Sequence, residues 1–367
     1  MRVAVIGTRG YPSYYGGFET CVRNLVPYLA DCGWDARVYS RPGASRPDDP
    51  DRDARVKVIE TPGIESKSLS TLSYGFTSTL HACFHRPDVA LVMNVANGFF
   101  LPLLWLARVP TVVNVDGIEW ERAKWNGLGK AVFRLGAWFT AKLASNLIVD
   151  AKAIGQYWEA HFARNGVFIP YGAKFYDTTL PLEPGLTHRG YVLVVARFVP
   201  ENTIPEFLGA AAEIAKCAPV IIVGSSGHGG ELDKAAASLD ETVPNVHWLG
   251  HVSDDLRLHS LWQHAGVYFH GHSVGGTNPA LVQAMALGAP TLARDTNYNR
   301  EVLAGTGVFT EPDPASIAAA TIALLQDSKL QEDLSTQATA RARAEYTWDL
   351  VNQRYEALLR APQRRAS

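Results

Sequence analysis

The chain has 367 residues, 47% of them hydrophobic and 19% charged, with a formal net charge of −2. This fits a globular protein too long for one average domain, so two are expected. The near balance of 34 basic and 36 acidic residues gives no footprint for a nucleic-acid partner, and four scattered cysteines without a CxxC spacing argue against structural zinc and fit a reducing cytosol.

Met1-Arg2 leads straight into an apolar run rather than a leader peptide, so a cytoplasmic chain is expected, with the inner face of a membrane as the alternative setting. The first half alternates short apolar runs with amphipathic stretches. It predicts strands over 3–6, 36–39, 56–60, 89–93, 111–115 and 146–149, and helices over 18–31, 70–84, 98–107, 127–144 and 151–163. The run 98–107 is too short to cross a bilayer and contains Pro102. Over 124–142, Lys124, Lys130, Arg134 and Lys142 interleave with Trp125, Leu128, Val132, Phe133, Leu135, Trp138 and Phe139. The pattern suits a helix lying on an anionic membrane and equally a core-facing helix with a solvated basic face.

The alternation breaks over 173–189, which holds Pro181, Pro184 and Gly185, and restarts at 191–195. Strands follow over 220–223, 246–249, 267–269, 290–293 and 307–309. Helices are expected over 204–217, 230–239, 254–264, 279–287, 298–303, 314–326 and 329–344. The expected fold class is α/β, with two parallel-sheet, Rossmann-like domains facing across a cleft. The expected boundaries are 1–172, a linker at 173–189, 190–345, and a closing helix in 346–367 that crosses back to the first domain. Ligands of open α/β sheets sit outside the carboxyl ends of the strands, which places the chemistry between the two halves.

Four segments fall at such strand ends. The first strand runs into Gly7-Thr8-Arg9-Gly10 and then Gly16-Gly17-Phe18-Glu19. Glycines opening a helix present bare N–H groups and a positive dipole end to an anion, with Arg9 to neutralise a diphosphate and Glu19 to accept sugar hydroxyls. The spacing is not GxGxxG, and no acidic strand end follows about 20 residues on, so a dinucleotide is disfavoured. In Asn114-Val115-Asp116-Gly117-Ile118-Glu119-Trp120, Asp116 can hold a sugar hydroxyl or stabilise positive charge at an anomeric carbon, and Asp-Gly is also ordinary turn chemistry. Arg197 ends the first strand of the second domain, where its charge suits a phosphate. His270-Gly271-His272 precedes Gly275-Gly276-Thr277-Asn278-Pro279, with Asn278 as N-cap and Pro279 as first helical residue, again a phosphate site. HxH is half of a metal site, but no acidic or cysteine partner adjoins it.

Together these segments resemble the retaining nucleotide-sugar glycosyltransferases of family 4, which have the GT-B fold. The stretches GTRGYPSYYGGFE, NVDGIEWERAKW, IPYGA, VARFVPEN and HGHSVGGTNPALVQAM are similar to the DUF1972-type rhamnosyltransferase subgroup, and Tyr346-Thr347-Trp348 resembles the start of the closing helix. The resemblance implies donor contacts at Arg9, Gly16, Gly17, Glu19, Gly250, Val252, Gly275, Gly276, Thr277, Asn278 and Gln283. It implies catalytic roles for Asp116, Arg197 and His272, and acceptor contacts at Glu119 and Trp120. The chain departs from the family where Gly275 and Gln283 replace two glutamates and Asn202 replaces a lysine. His272 is expected to stand in for the first glutamate. Gln283, with one amide oxygen for ribose, favours dTDP over UDP.

The implied function is transfer of a sugar, L-rhamnose from dTDP-L-rhamnose, to a hydroxyl of a glycan or lipid-linked saccharide, with retention and without a cofactor or metal. A transferase using another UDP-, GDP- or dTDP-hexose and a small-molecule acceptor, an epimerase or phosphorylase, and a non-catalytic nucleotide-sugar-binding module stay open.

Overall fold

The computed structural model describes residues 1–14, 16–66, 70–121 and 127–361. The chain divides into two compact units, 1–171 with 348–367, and 172–347.

Unit 1 contains, in order, β1 (Arg2–Ile6), α1 (Gly17–Asp31), β2 (Asp35–Ser40), β3 (Lys57–Glu60), α2 (Ser70–His85), β4 (Val89–Met93), α3 (Leu101–Leu106), β5 (Thr111–Asn114), α4 (Gly127–Leu143), β6 (Asn146–Val149), α5 (Lys152–Phe162) and β7 (Val167–Phe168). All seven strands are parallel, in the order β3-β2-β1-β4-β5-β6-β7. Strands such as β4 (VALVM) are buried at every position because helices cover both faces, which is why they read as unbroken apolar runs. The helix expected over 98–107 is two pieces, a 3-10 turn at Val95–Phe100 and then α3, which starts where Pro102 can occupy the first turn.

Unit 2 contains β8 (Val192–Val195), α6 (Ile204–Ile214), β9 (Val220–Val223), α7 (Glu231–Thr242), β10 (Val246–Trp248), α8 (Asp255–His264), β11 (Val267–His270), α9 (Pro279–Ala286), β12 (Thr291–Arg294), α10 (Asn297–Leu303), β13 (Val308–Thr310), α11 (Pro314–Gln326) and α12 (Ser328–Glu345). Its six parallel strands run β10-β9-β8-β11-β12-β13. A core of Val192, Val194, Phe207, Ile222, Phe269 and Leu292 fills the space under α6 and α11. Residues 173–189, read from sequence as a linker, lie in this unit, where Leu180 N donates to Gln263 Oε1 (2.6 Å).

The last helix, α13 (Trp348–Arg360), belongs to unit 1 and packs on α1, with Asn352 Nδ2 donating to the Asn24 carbonyl (3.2 Å). In each sheet strand order reverses once, between β1 and β4 and between β8 and β11. Loops leaving such a pair in opposite directions open a crevice at the carboxyl edge.

Candidate active site

In unit 2 the reversal point is built from the loops after β8 and β11. Gly224, at φ 128°, lets the chain after β9 press on the Ala196 carbonyl, where a Cβ would overlap it. Gly224 N donates to Gly250 O (2.7 Å), and Phe198 N to Ser225 O (3.1 Å). Asn202, at the expected lysine position, donates to the Arg197 carbonyl (2.9 Å) and so braces the loop rather than supplying charge. Ser273 N and Oγ donate to Glu201 O (2.9 and 2.8 Å), and Thr203 Oγ1 donates to Gly271 O (2.5 Å), tying the two loops together.

On this frame the Arg197 side chain is exposed and has no carboxylate partner among the described residues. His272 lies near it and stacks on His270, with ring centroids 4.4 Å apart. Burial, reinforced by the Arg197 charge, lowers the His272 imidazole to about 3, and burial, with His272 beside it, holds His270 well below its ordinary value. Both rings are neutral at physiological pH. Asn278 caps α9 by accepting from Ala280 N (2.9 Å), with Pro279 next, and Thr277 is buried behind Gly275 and Gly276. A second cation, missed in the sequence, sits at the end of β12, where Arg294 Nη1 donates to Thr203 Oγ1 (3.0 Å). The strand-end rule that singled out Arg197 also applies to Arg294. One exposed guanidinium, one half-buried guanidinium and a capped helix start therefore converge on one sheet edge, an arrangement that suits a diphosphate.

Gln283 does not fit its expected role. Its Oε1 accepts from Lys174 N (2.9 Å) and its Nε2 donates to Lys174 O (2.8 Å), so both ends of the amide are committed to the chain's own backbone. The argument for a deoxyribose falls with it. Of the Gly250–Val252 backbone expected to line the base pocket, the Gly250 carbonyl is already taken by Gly224 N.

In unit 1 the loop after β1 is pinned. Tyr11 N donates to Ser45 Oγ (3.2 Å), and the Tyr11 hydroxyl accepts from Asp53 N (3.0 Å). Glu19, expected to take sugar hydroxyls, is buried and accepts from Arg9 N (3.1 Å), so it clamps the loop onto the amino end of α1. Gly16 is extended (φ −169°), a conformation open to any residue. Gly17 starts the helix, and its missing side chain makes room for Tyr171, whose hydroxyl would lie 3.0 Å from a Cβ there. The positive-φ glycines of this loop are Gly7 and Gly10.

Asp116 follows β5 at φ 56°, unusual for a residue with a Cβ. Asn114 Oδ1 accepts from Asp116 N (3.0 Å), while Asn114 Nδ2 donates to the buried Tyr355 hydroxyl (2.7 Å) on α13. Burial, with the Asp116 and Asp150 carboxylates adding, pushes the Tyr171 phenol well up. Glu119 is buried. Trp120, 3% exposed, packs on Tyr157 and Phe162 and donates Nε1–H to the Tyr157 hydroxyl (3.1 Å), leaving no free ring face for a saccharide.

The model for "Glycosyl transferase 4-like domain" matches residues 16–172, and that for "Glycosyl transferases group 1" matches 184–341. The chain belongs to the group 1 glycosyltransferases. It is a glycosyltransferase with the two-domain GT-B fold. Similar solved structures include sucrose-phosphate synthase from Thermosynechococcus elongatus (20% identity, 98% of each chain covered, TM-score 0.78). Anabaena HepE in complex with UDP is another (17% identity, 98% of this chain and 100% of that one, TM-score 0.74). A third is WaaG, a glycosyltransferase involved in lipopolysaccharide biosynthesis (14%, 98% and 99%, TM-score 0.73). No curated protein sequence matches the chain.

Proposed function

We propose that this transferase moves L-rhamnose from dTDP-L-rhamnose to a hydroxyl of a glycan or lipid-linked saccharide, with retention. The observation that carries the donor reading is Arg197, exposed and without a carboxylate partner among the described residues, beside neutral His272 and the amino end of α9. Rhamnose rests on the resemblance of the sequence to the DUF1972-type subgroup; Gln283 no longer speaks for dTDP.

In this mechanism Arg197, with Arg294 and the N–H groups at Gly275–Asn278, takes up the charge that grows on the diphosphate as the bond from the sugar C1 to the phosphate oxygen breaks. The acceptor oxygen bonds to C1 on the same face, and its proton passes to the departing phosphate oxygen. Asp116 stabilises the positive charge on the sugar, and His272, uncharged, hydrogen-bonds a sugar hydroxyl. The charge balance is met by protein groups, so no metal or cofactor enters a step. Donor cleavage measured with and without a saccharide acceptor tests this. Acceptor-dependent release of dTDP with a product that keeps the anomeric configuration of the donor is expected, whereas free sugar released at the same rate without acceptor contradicts transfer.

A second part of the proposal is peripheral contact with an anionic membrane through 124–142. Lys124, Trp125 and the Leu128 side chain lie outside the described residues. In its support, α4 exposes Leu135 and Trp138, with Arg134 and Lys142 one turn to either side of Trp138. The neighbouring helices expose Phe84 (77%) on α2 and Trp105 (61%) and Leu106 (68%) on α3. Apolar side chains rimmed by basic ones suit an anionic interface. Among the described residues no helix is long and apolar enough to cross a membrane.

A further inference from the structure

His270 has no part in the transfer step, yet it is a fully buried imidazole two residues from His272. It ends β11 with 0% exposure, and its Nδ1 shares a hydrogen bond with the Tyr268 hydroxyl (3.0 Å). Its Nε2 is shut in without a partner. A buried polar atom left unpaired costs stability, so packing alone does not account for an imidazole here.

Its neighbour His272 lies flat on it, with ring centroids 4.4 Å apart and planes within 11° of parallel. The backbone that carries His272 is anchored at three successive residues. Gly271 O accepts from Thr203 Oγ1 (2.5 Å), His272 O accepts from Asn299 Nδ2 (3.0 Å), and Ser273 N donates to Glu201 O (2.9 Å). A Cβ at Gly271 would overlap the Asn202 carbonyl, so the middle residue of His-Gly-His has to be glycine. The His272 ring itself makes no hydrogen bond to any described residue. With the backbone pinned and the ring unbonded, the stack on His270 is what fixes the side-chain torsions of His272.

That orientation decides where the ring carries its proton. A neutral imidazole has one N–H and one bare nitrogen. In this setting Nδ1 of His272 is the buried nitrogen, and it has no partner. An orphaned N–H is the rarer of the two ways to leave a buried polar atom, so Nδ1 stays bare and the proton sits on Nε2. Burial and the Arg197 charge keep a second proton off the ring.

We propose that His270 is a positioning residue: its ring holds His272 in one orientation and one tautomer, from which His272 donates Nε2–H to a hydroxyl oxygen of the donor sugar. A carboxylate at this place could only accept, so the imidazole reverses the polarity of the contact. The sugar contact rests on the transferase reading.

The test joins NMR of the full chain with 15N-labelled histidine at neutral pH, where the two tautomers give distinct ring-nitrogen signals, to release of dTDP from dTDP-L-rhamnose. His272, assigned by the signal lost in His272→Gln, should show the Nε2–H tautomer alone. An Nδ1–H signal, or the averaged signal of a ring exchanging both forms, overturns the proposal. His270→Phe and His270→Leu both remove the imidazole and leave the Tyr268 hydroxyl without that partner, so they differ in whether His272 has a ring to lie on. His270→Phe should keep at least tenfold more kcat/KM than His270→Leu, and the His272 signal should average in the leucine variant. Equal kcat/KM in the two, at whatever level, overturns the proposal. A glutamine amide nitrogen reaches as far as imidazole Nε2, and an asparagine one only as far as Nδ1. His272→Gln should therefore keep at least tenfold more kcat/KM than His272→Asn, and equal losses would remove the Nε2–H contact. If the wild-type chain cleaves no nucleotide sugar, the transferase reading falls, and the spectrum still decides the tautomer and the stack. If it cleaves one and the variants behave alike, this inference falls and the transferase reading stands.

Discussion

Two residues separate what the chain's chemistry asks for from what its packing asks for. Gln283 occupies the place of a family glutamate, yet it is a double clasp on Lys174. Gln283→Glu turns the N–H donor into a second acceptor facing the Lys174 carbonyl. It should therefore destabilise unit 2 by about 1 kcal/mol at neutral pH, read by urea unfolding, while leaving the preference between dTDP and UDP unchanged. A reversed preference would return Gln283 to the nucleotide site. Gly224 is fixed by both φ and space. Gly224→Ala should cost on the order of 2–4 kcal/mol because a methyl group cannot coexist with the Ala196 carbonyl. Little change in the unfolding midpoint would mean that the loop carrying Arg197 is softer than described. The sequence displayed the glycines and the strand-end charges, because both are local signals. The partners of Gln283, Asn114 and Arg294 lie 109, 241 and 91 residues away, and no local pattern carries such pairings.

At the scale of elements, α13 reaches a proposed catalytic group through a short chain of contacts. Tyr355 receives the Asn114 amide, and Asn114 holds the backbone of Asp116 in its left-handed conformation. Tyr355→Phe leaves a buried amide N–H without its acceptor, at a cost of about 1–3 kcal/mol, and loosens Asp116. The expected signature is a fall in kcat with KM little changed, and no further loss when it is combined with Asp116→Asn. Additive losses in the double variant would show that Tyr355 acts elsewhere. Strands were legible because a sheet covered on both faces makes every position apolar. β7, at two residues, is too short to leave that imprint. The split at Val95–Phe100 was hidden because a 3-10 turn and a helix share a similar apolar spacing.

For the whole molecule, pH stability follows from neutral buried imidazoles. Burial lowers His259 to about 4 and His272 to about 3, with His270 well below its ordinary value. Between about pH 6.5 and these values the unfolded chain binds protons that the folded chain does not, so stability must fall as pH falls. The slope should be about 1.4 kcal/mol per pH unit for each such histidine. Flat stability from pH 7 down to pH 5 would contradict their neutrality. Membrane contact is checked by co-sedimentation with anionic vesicles: Trp138→Ser with Trp105→Ser should lose most binding, whereas unchanged sedimentation would remove that face from consideration.

The central claim is that the diphosphate of the donor sits at the β8–β11 edge on Arg197. Calorimetry of dTDP and UDP against the wild-type chain and Arg197→Ala tests it most directly. The variant should keep the wild-type Tm and bind its preferred nucleoside diphosphate at least tenfold more weakly, with the nucleoside alone affected far less. Equal diphosphate affinity in the two proteins would place the donor somewhere else on the molecule.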